Sequence, residues 1–244
     1  MGAAPAVDVG GLALLRPLTF ILAGMDWAAL CNQQRLGFLE QPASAITSAA
    51  FVVAAAGILA ARPRESGTPA REQQTVFVLL VAGIGIGSFV QHGPHPSWQA
   101  YAHDLPLAAT LVFVATDAAS DLTGRELSAA WWLVPSAAMV PIVAAGPAAS
   151  TATQAAMAAA AIALNLLRAV HHPVLRAPVL VALGTAAAGA VLGRLTGRSR
   201  PCGPESLITG HPLWHLLAAA ALWRLAAAVG RATPARAAAT VSTC

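Results

Sequence analysis

Lysine is absent from the chain, and charge of either sign is scarce: 10% of its 244 residues are charged and 57% are hydrophobic. A soluble domain carries roughly 25% charged residues. That scarcity, together with a mean hydropathy of +0.66, excludes such a domain and defines an integral membrane protein. With no lysine, all 14 basic residues are Arg, and the Arg-only, Ala-rich usage points to GC-rich coding and a bacterial source. The Arg residues stand singly at the ends of apolar runs rather than in a basic stripe. The pI near 9.8 is therefore a topology signal and no sign of a nucleic-acid partner. No internal repeat is visible, and no basic residue precedes the apolar stretch 11–24, which Arg16-Pro17 interrupts and Asp8 precedes. This argues against a cleaved signal peptide and for a short interfacial helix.

What remains is long apolar runs. Seven are long enough for a bilayer core of about 30 Å, which takes roughly 17 to 25 helical residues: 43–61, 75–92, 104–121, 127–145, 150–170, 174–194 and 205–229. The expected fold is all-α, a polytopic seven-helix bundle. Residues 1–42 form an extracytoplasmic amino-terminal segment, 43–230 the membrane domain and 231–244 a disordered cytoplasmic tail. Arg62, Arg64, Arg71, Arg125, Arg168, Arg176, Arg224, Arg231 and Arg236 fall on one side of the membrane; Arg16, Arg35, Arg194, Arg198 and Arg200 fall on the other. The richer side is cytoplasmic, which puts the amino terminus outside and the carboxyl terminus inside. The same topology places Cys31 and Cys202 on the oxidising face, where a disulfide is expected, and leaves Cys244 free in the cytoplasm.

Against this apolar background the polar residues stand out. Ser88 and His92 are one helical turn apart, as are His211 and His215, and Asp104 follows the first pair. Spacing of four places each pair on one helix face. The parity of the crossings brings all five toward one membrane face, with His215 about 15 Å below Glu205 at 1.5 Å rise per residue. Ionisable groups at membrane depth are functional candidates by default. Three neutral imidazoles plus water form an open catalytic zinc sphere. Asp104 is placed to take a proton, and Ser88 to donate a hydrogen bond to a carbonyl or developing oxyanion.

The segments GIGSFVQHG (85–93), AHDLPL (102–107) and GHPLWHLLAA (210–219) resemble the signature motifs of the alkaline ceramidase family of seven-helix membrane hydrolases. They also resemble the wider superfamily that includes adiponectin-receptor-like and haemolysin-III-like proteins. LEQPASAITSAAFVVAAAG (39–57) is similar to the first-span motif of bacterial members. The resemblance implies zinc at His92, His211 and His215, hydrolysis served by Asp104 and Ser88, and release of a fatty acid from the acyl amide of ceramide or a similar lipid amide. It also implies a calcium site built from an amino-terminal Asp-Trp-Cys-Glu segment and a later Glu. Here Asp26-Trp27 is separated from Cys31 and Asn32 follows the Cys, so Asp26, Asn32 and Glu40 offer only two carboxylates and make a weak calcium site. The spacing from His92 to Asp104 is one residue longer than in the family.

The remaining polar residues receive plainer expectations. His95 and His103 read as solvated loop histidines, and His171-His172 as a headgroup-contacting cluster. Asp117 and Asp121 read as a solvated helix terminus, Asn165 and Gln154 as interhelical hydrogen-bonding groups, and Trp27, Trp98, Trp131 and Trp132 as interfacial anchors. The function expected is a zinc-dependent lipid amidohydrolase with no protein partner inferred. The alternatives are a receptor-like or haemolysin-III-like member with a structural metal, and a proton-coupled transporter, which ordinarily shows internal repeats.

Overall fold

The computed structural model describes residues 38–61, 69–196 and 210–230, which are all-helical apart from short connections. In chain order the helices are α1 (Pro42–Thr47), α2 (Ala49–Ala61), α3 (Pro69–His92), α4 (Gln99–Thr123), α5 (Ala130–Ala144), α6 (Pro147–His171), α7 (Pro173–Thr196) and α8 (His211–Leu225). Each expected span contains a helix. Among the described residues, five stretches are long and apolar enough to cross a membrane: 42–61, 70–92, 99–123, 147–171 and 173–193. α5 and α8, at 15 residues each, reach about 22 Å, short of a 30 Å hydrocarbon core.

Helix ends follow local chemistry. Pro42 starts α1 and Pro147 starts α6 in the first turn, where a missing N–H costs nothing. α4 ends at Gly124, which takes the left-handed conformation at φ 64°. α4 begins at Gln99 rather than at Asp104, so Asp104 and His103 sit in a helix and not in a loop. α1 and α2 meet at Ser48, whose Oγ donates to the Ser44 carbonyl at 2.8 Å.

Neighbouring helices close a ring: α2 packs on α3, α3 on α4, α4 on α6, α6 on α7, α7 on α8, and α8 returns to α2, while α5 lies against α4 and α6. Inside the ring Phe51, Phe77, Val81, Phe113, Leu175, Val179 and Leu225 form one core, in which Phe77 and Phe113 stack with centroids 6.3 Å apart. Leu79, Ile86, Val134 and Val170 project outward. An apolar exterior over a hydrogen-bonded helical backbone suits a hydrocarbon solvent. Trp98 and Trp131 are exposed as anchors would be, whereas Trp132 packs edge-on against Phe113.

One crossing is unusually close. A Cβ on Gly87 of α3 would stand 1.9 Å from the Ala102 carbonyl oxygen and 3.1 Å from His103 Cα on α4. Only glycine admits this backbone-to-backbone contact, which holds the Ser88–His92 turn against the first turns of α4. Gly87→Val is expected to destabilise the protein by about 3 kcal/mol or more, beyond ordinary overpacking. Gly184→Ala in α7, where a Cβ meets nothing within 4 Å, is expected to be neutral or stabilising by up to about 1 kcal/mol. Denaturation midpoints in detergent, compared between the two variants, check this.

Candidate metal centre

His92 is the last residue of α3, and His211 and His215 lie one turn apart at the start of α8. α1 packs on both helices and brings their ends together. One ligand atom from each histidine lies within 4.8 Å of the other two, close enough to hold a metal ion, and this is the one such group among the described residues. The Nε2 atoms of His92 and His211 face each other at 3.1 Å. Ring centroids are 4.5 Å apart for His211–His215, 4.8 Å for His92–His211 and 5.2 Å for His92–His215. Two nitrogens bound to one tetrahedral ion at roughly 2.0 to 2.1 Å are about 3.3 Å apart. The His92–His211 spacing is close to that value, and the metal's identity is open on geometry alone.

The outward nitrogens strengthen the fit. His92 Nδ1–H donates to Gln41 Oε1. His215 Nδ1–H donates to the Ser44 carbonyl at 3.1 Å, with Thr47 Oγ1 also 3.1 Å away. Each Nδ1 faces an oxygen acceptor, which places its proton there and leaves Nε2 with a lone pair directed into the cluster. Metal-binding histidines are ordinarily held in this way. Gln41, Ser44 and Thr47 belong to the segment just before and within α1, which pairs with the end of α3 through Gln41 N–His92 O at 2.8 Å and Glu40 N–Gly93 O at 3.0 Å. Phe51 of α2 meets His215 edge-on at 5.7 Å, so the cluster is walled by apolar groups and His215 is 2% exposed.

Asp104 is not in this cluster. Its Oδ1 accepts from His103 Nδ1 at 2.7 Å and its Oδ2 accepts from Ser150 Oγ at 2.5 Å. Gln154 Nε2 in turn donates to Ser150 Oγ at 2.9 Å. Gln154 also hydrogen-bonds to the Asp104 carboxylate, so it links α6 to α4 as expected, beside the Ser150 to Asp104 bond. The His103 ring stands edge-on to the His92 ring at 6.3 Å, so His103 is part of the site's surroundings rather than a solvated loop residue. His95 does lie in the connecting turn, with Nδ1 bonded to the Gln91 carbonyl at 2.6 Å and 3.7 Å from Glu40. Ser88 is buried at 1% exposure one turn before His92. The interfacial helix, Asp26, Asn32, Trp27 and the three cysteines lie outside the described residues.

A second buried polar group corrects the sequence reading. Asp117 and Asp121 are not a solvated terminus: both are buried, and Arg168 of α6 lies between them, 1% exposed. Arg168 Nη1 meets Asp117 Oδ2 at 2.8 Å, and Nη2 pairs with Asp121 and donates to the Ala228 carbonyl at 2.7 Å. Gly230 N donates to Asp117 Oδ1 at 3.2 Å. Arg168 therefore carries structure and drops out of the loop charges that set topology. Asn165 behaves as expected, its Nδ2 reaching the Val114 carbonyl on α4 at 3.4 Å. No sequence signal separates such a pair from solvated charges; the spacing Asn165 to Arg168 against Val114 to Asp117 becomes meaningful only once α6 is known to pack on α4.

No family model matches the chain, and neither curated proteins nor solved structures yield a match.

Two outcomes follow from these contacts. Gln41→Leu is expected to weaken metal binding roughly 10- to 100-fold, the usual effect of removing such a supporting partner, measured by competition with a chromophoric chelator. Arg168→Met alone is expected to cost about 3 to 5 kcal/mol by stranding two carboxylates. Arg168→Met combined with Asp117→Leu and Asp121→Leu should recover most of that loss, as read from unfolding midpoints.

Proposed function

We propose that this protein is a zinc-dependent intramembrane amidohydrolase, a seven-span bundle with its amino terminus outside. It cleaves the acyl amide of ceramide or a similar long-chain lipid amide to a fatty acid and an amine. The observation that carries the reading is the three-histidine cluster, in which His92 and His215 are buried and each anchored through Nδ1. Three imidazole ligands with an open fourth position are the donor set of catalytic zinc. The resemblance of the motifs around Ser88, Asp104 and His211 to those of alkaline ceramidases supplies the substrate class.

His92, His211 and His215 would hold the ion, which when bound activates water and polarises a carbonyl. The water oxygen adds to the amide carbon, the C–N bond breaks, and one water proton ends on the leaving nitrogen. Asp104 supplies the negative charge that draws that proton. Ser88 donates a hydrogen bond to the carbonyl oxygen as charge develops there.

Zinc-loaded protein is expected to release fatty acid from N-acylsphingosine vesicles, detected by mass spectrometry. Asp104→Asn should retain zinc and lose hydrolysis by roughly 100-fold or more, the scale of a lost acid–base group. Zinc held tightly with no fatty acid released from any lipid amide would instead favour the receptor-like reading with a structural metal.

A further inference from the structure

The carboxylate of Asp104 is already engaged on both sides, by His103 at 2.7 Å and by Ser150 at 2.5 Å. A carboxylate is an acceptor only. His103 Nδ1, facing Oδ1, therefore carries the proton of that hydrogen bond, and in the neutral ring Nε2 keeps a lone pair. His103 also stands nearer the three histidines than the sequence implies. Its ring is edge-on to His92 at 6.3 Å. Its backbone lies against Gly87, beside Ser88, at the close crossing of α3 and α4. Yet its nitrogens fall outside the ligand group. The order from the cluster outward is thus the three histidines, His103 against His92, then Asp104, Ser150 and Gln154, and from His103 outward each member is hydrogen-bonded to the next.

We propose that His103, and not Asp104, is the side chain that touches the molecule bound at the metal's open position, accepting a hydrogen bond from it through Nε2. Asp104 and Ser150 are positioning residues that fix the tautomer and orientation of the His103 ring. The logic is that of an acid behind an imidazole in hydrolytic triads, where the carboxylate orients the ring and does not itself reach the reacting atoms. The proposal rests on the zinc reading of the centre and refines which residue delivers the Asp104 charge.

The test uses the full-length protein loaded with cobalt(II) in place of zinc, with acetohydroxamate as the probe and its affinity read from the cobalt absorption bands. His103→Leu is expected to keep full metal content and to weaken acetohydroxamate about 10-fold or more, the scale of one hydrogen bond to a charged or metal-polarised group. His103→Gln, whose side-chain carbonyl restores an acceptor, should bind the probe more tightly than His103→Leu. Asp104→Asn and Ser150→Ala should fall between the wild type and His103→Leu. Unchanged probe affinity in His103→Leu, or a loss in Asp104→Asn that His103→Leu does not share, overturns the assignment while leaving the zinc reading intact. Loss of cobalt from His103→Leu would make His103 a ligand and also overturn it. A wild-type protein that takes up no cobalt or zinc removes the zinc reading itself, and this proposal with it.

Discussion

A neutral imidazole buried among apolar helices has one N–H and one lone pair to satisfy, and leaving either unpaired is costly in a medium without water. At His92 and His215 the N–H is satisfied on the outer side, by Gln41 and by the Ser44 carbonyl. The lone pairs must then be satisfied on the inner side, where His92 and His211 bring their Nε2 atoms to 3.1 Å. Across that 3.1 Å the His92 lone pair is met either by an N–H of His211 or by a cation shared between the rings. With a third imidazole 4.5 Å from His211, centroid to centroid, the three histidines are close enough to hold a metal ion.

The bundle serves that constraint at both ends of α8. At its start, α1 is wedged against α3 and α8 and presents backbone and side-chain oxygens to the histidines. At its end, the turn 226–230 is tied to α4 and α6 by Arg168 and Asp117, and Gln74 of α3 reaches the Val229 carbonyl at 3.4 Å. A helix fixed at both ends holds its first turn at a set height. Buried ion pairs contribute little net stability, so the value of the Arg168 cluster lies in specifying where α8 stops.

The sequence made the centre legible through spacing. Polar residues four apart in an apolar run must share a helix face, and crossing parity put the Ser88–His92 and His211–His215 pairs on one side. All-helical architecture was legible for the same reason, since apolar length leaves few alternatives. What surrounds the centre was not legible. His103 was assigned to a loop because the apolar run begins at Asp104, whereas Trp98, Gln99 and Tyr101 can start a helix once its first turn is covered by α3. Gln41, Ser44 and Thr47 looked like ordinary polar residues at a span boundary, and only packing of α1 on α8 turns them into histidine partners. Arg168 lies 51 and 47 positions from Asp117 and Asp121, and charges near helix ends are solvated unless a specific neighbour buries them. Pairwise burial of this kind is a property of helix packing and leaves no periodic trace.

X-ray absorption at the zinc edge of the purified protein reads the ligand atoms around the ion without reference to activity. Zinc held by His92, His211 and His215 should give a shell of nitrogen and oxygen at about 2.0 to 2.1 Å, with the multiple-scattering pattern of about three imidazoles and no sulfur. A shell containing sulfur at about 2.3 Å, a shell without imidazole scattering, or a protein that retains no zinc after purification would contradict it.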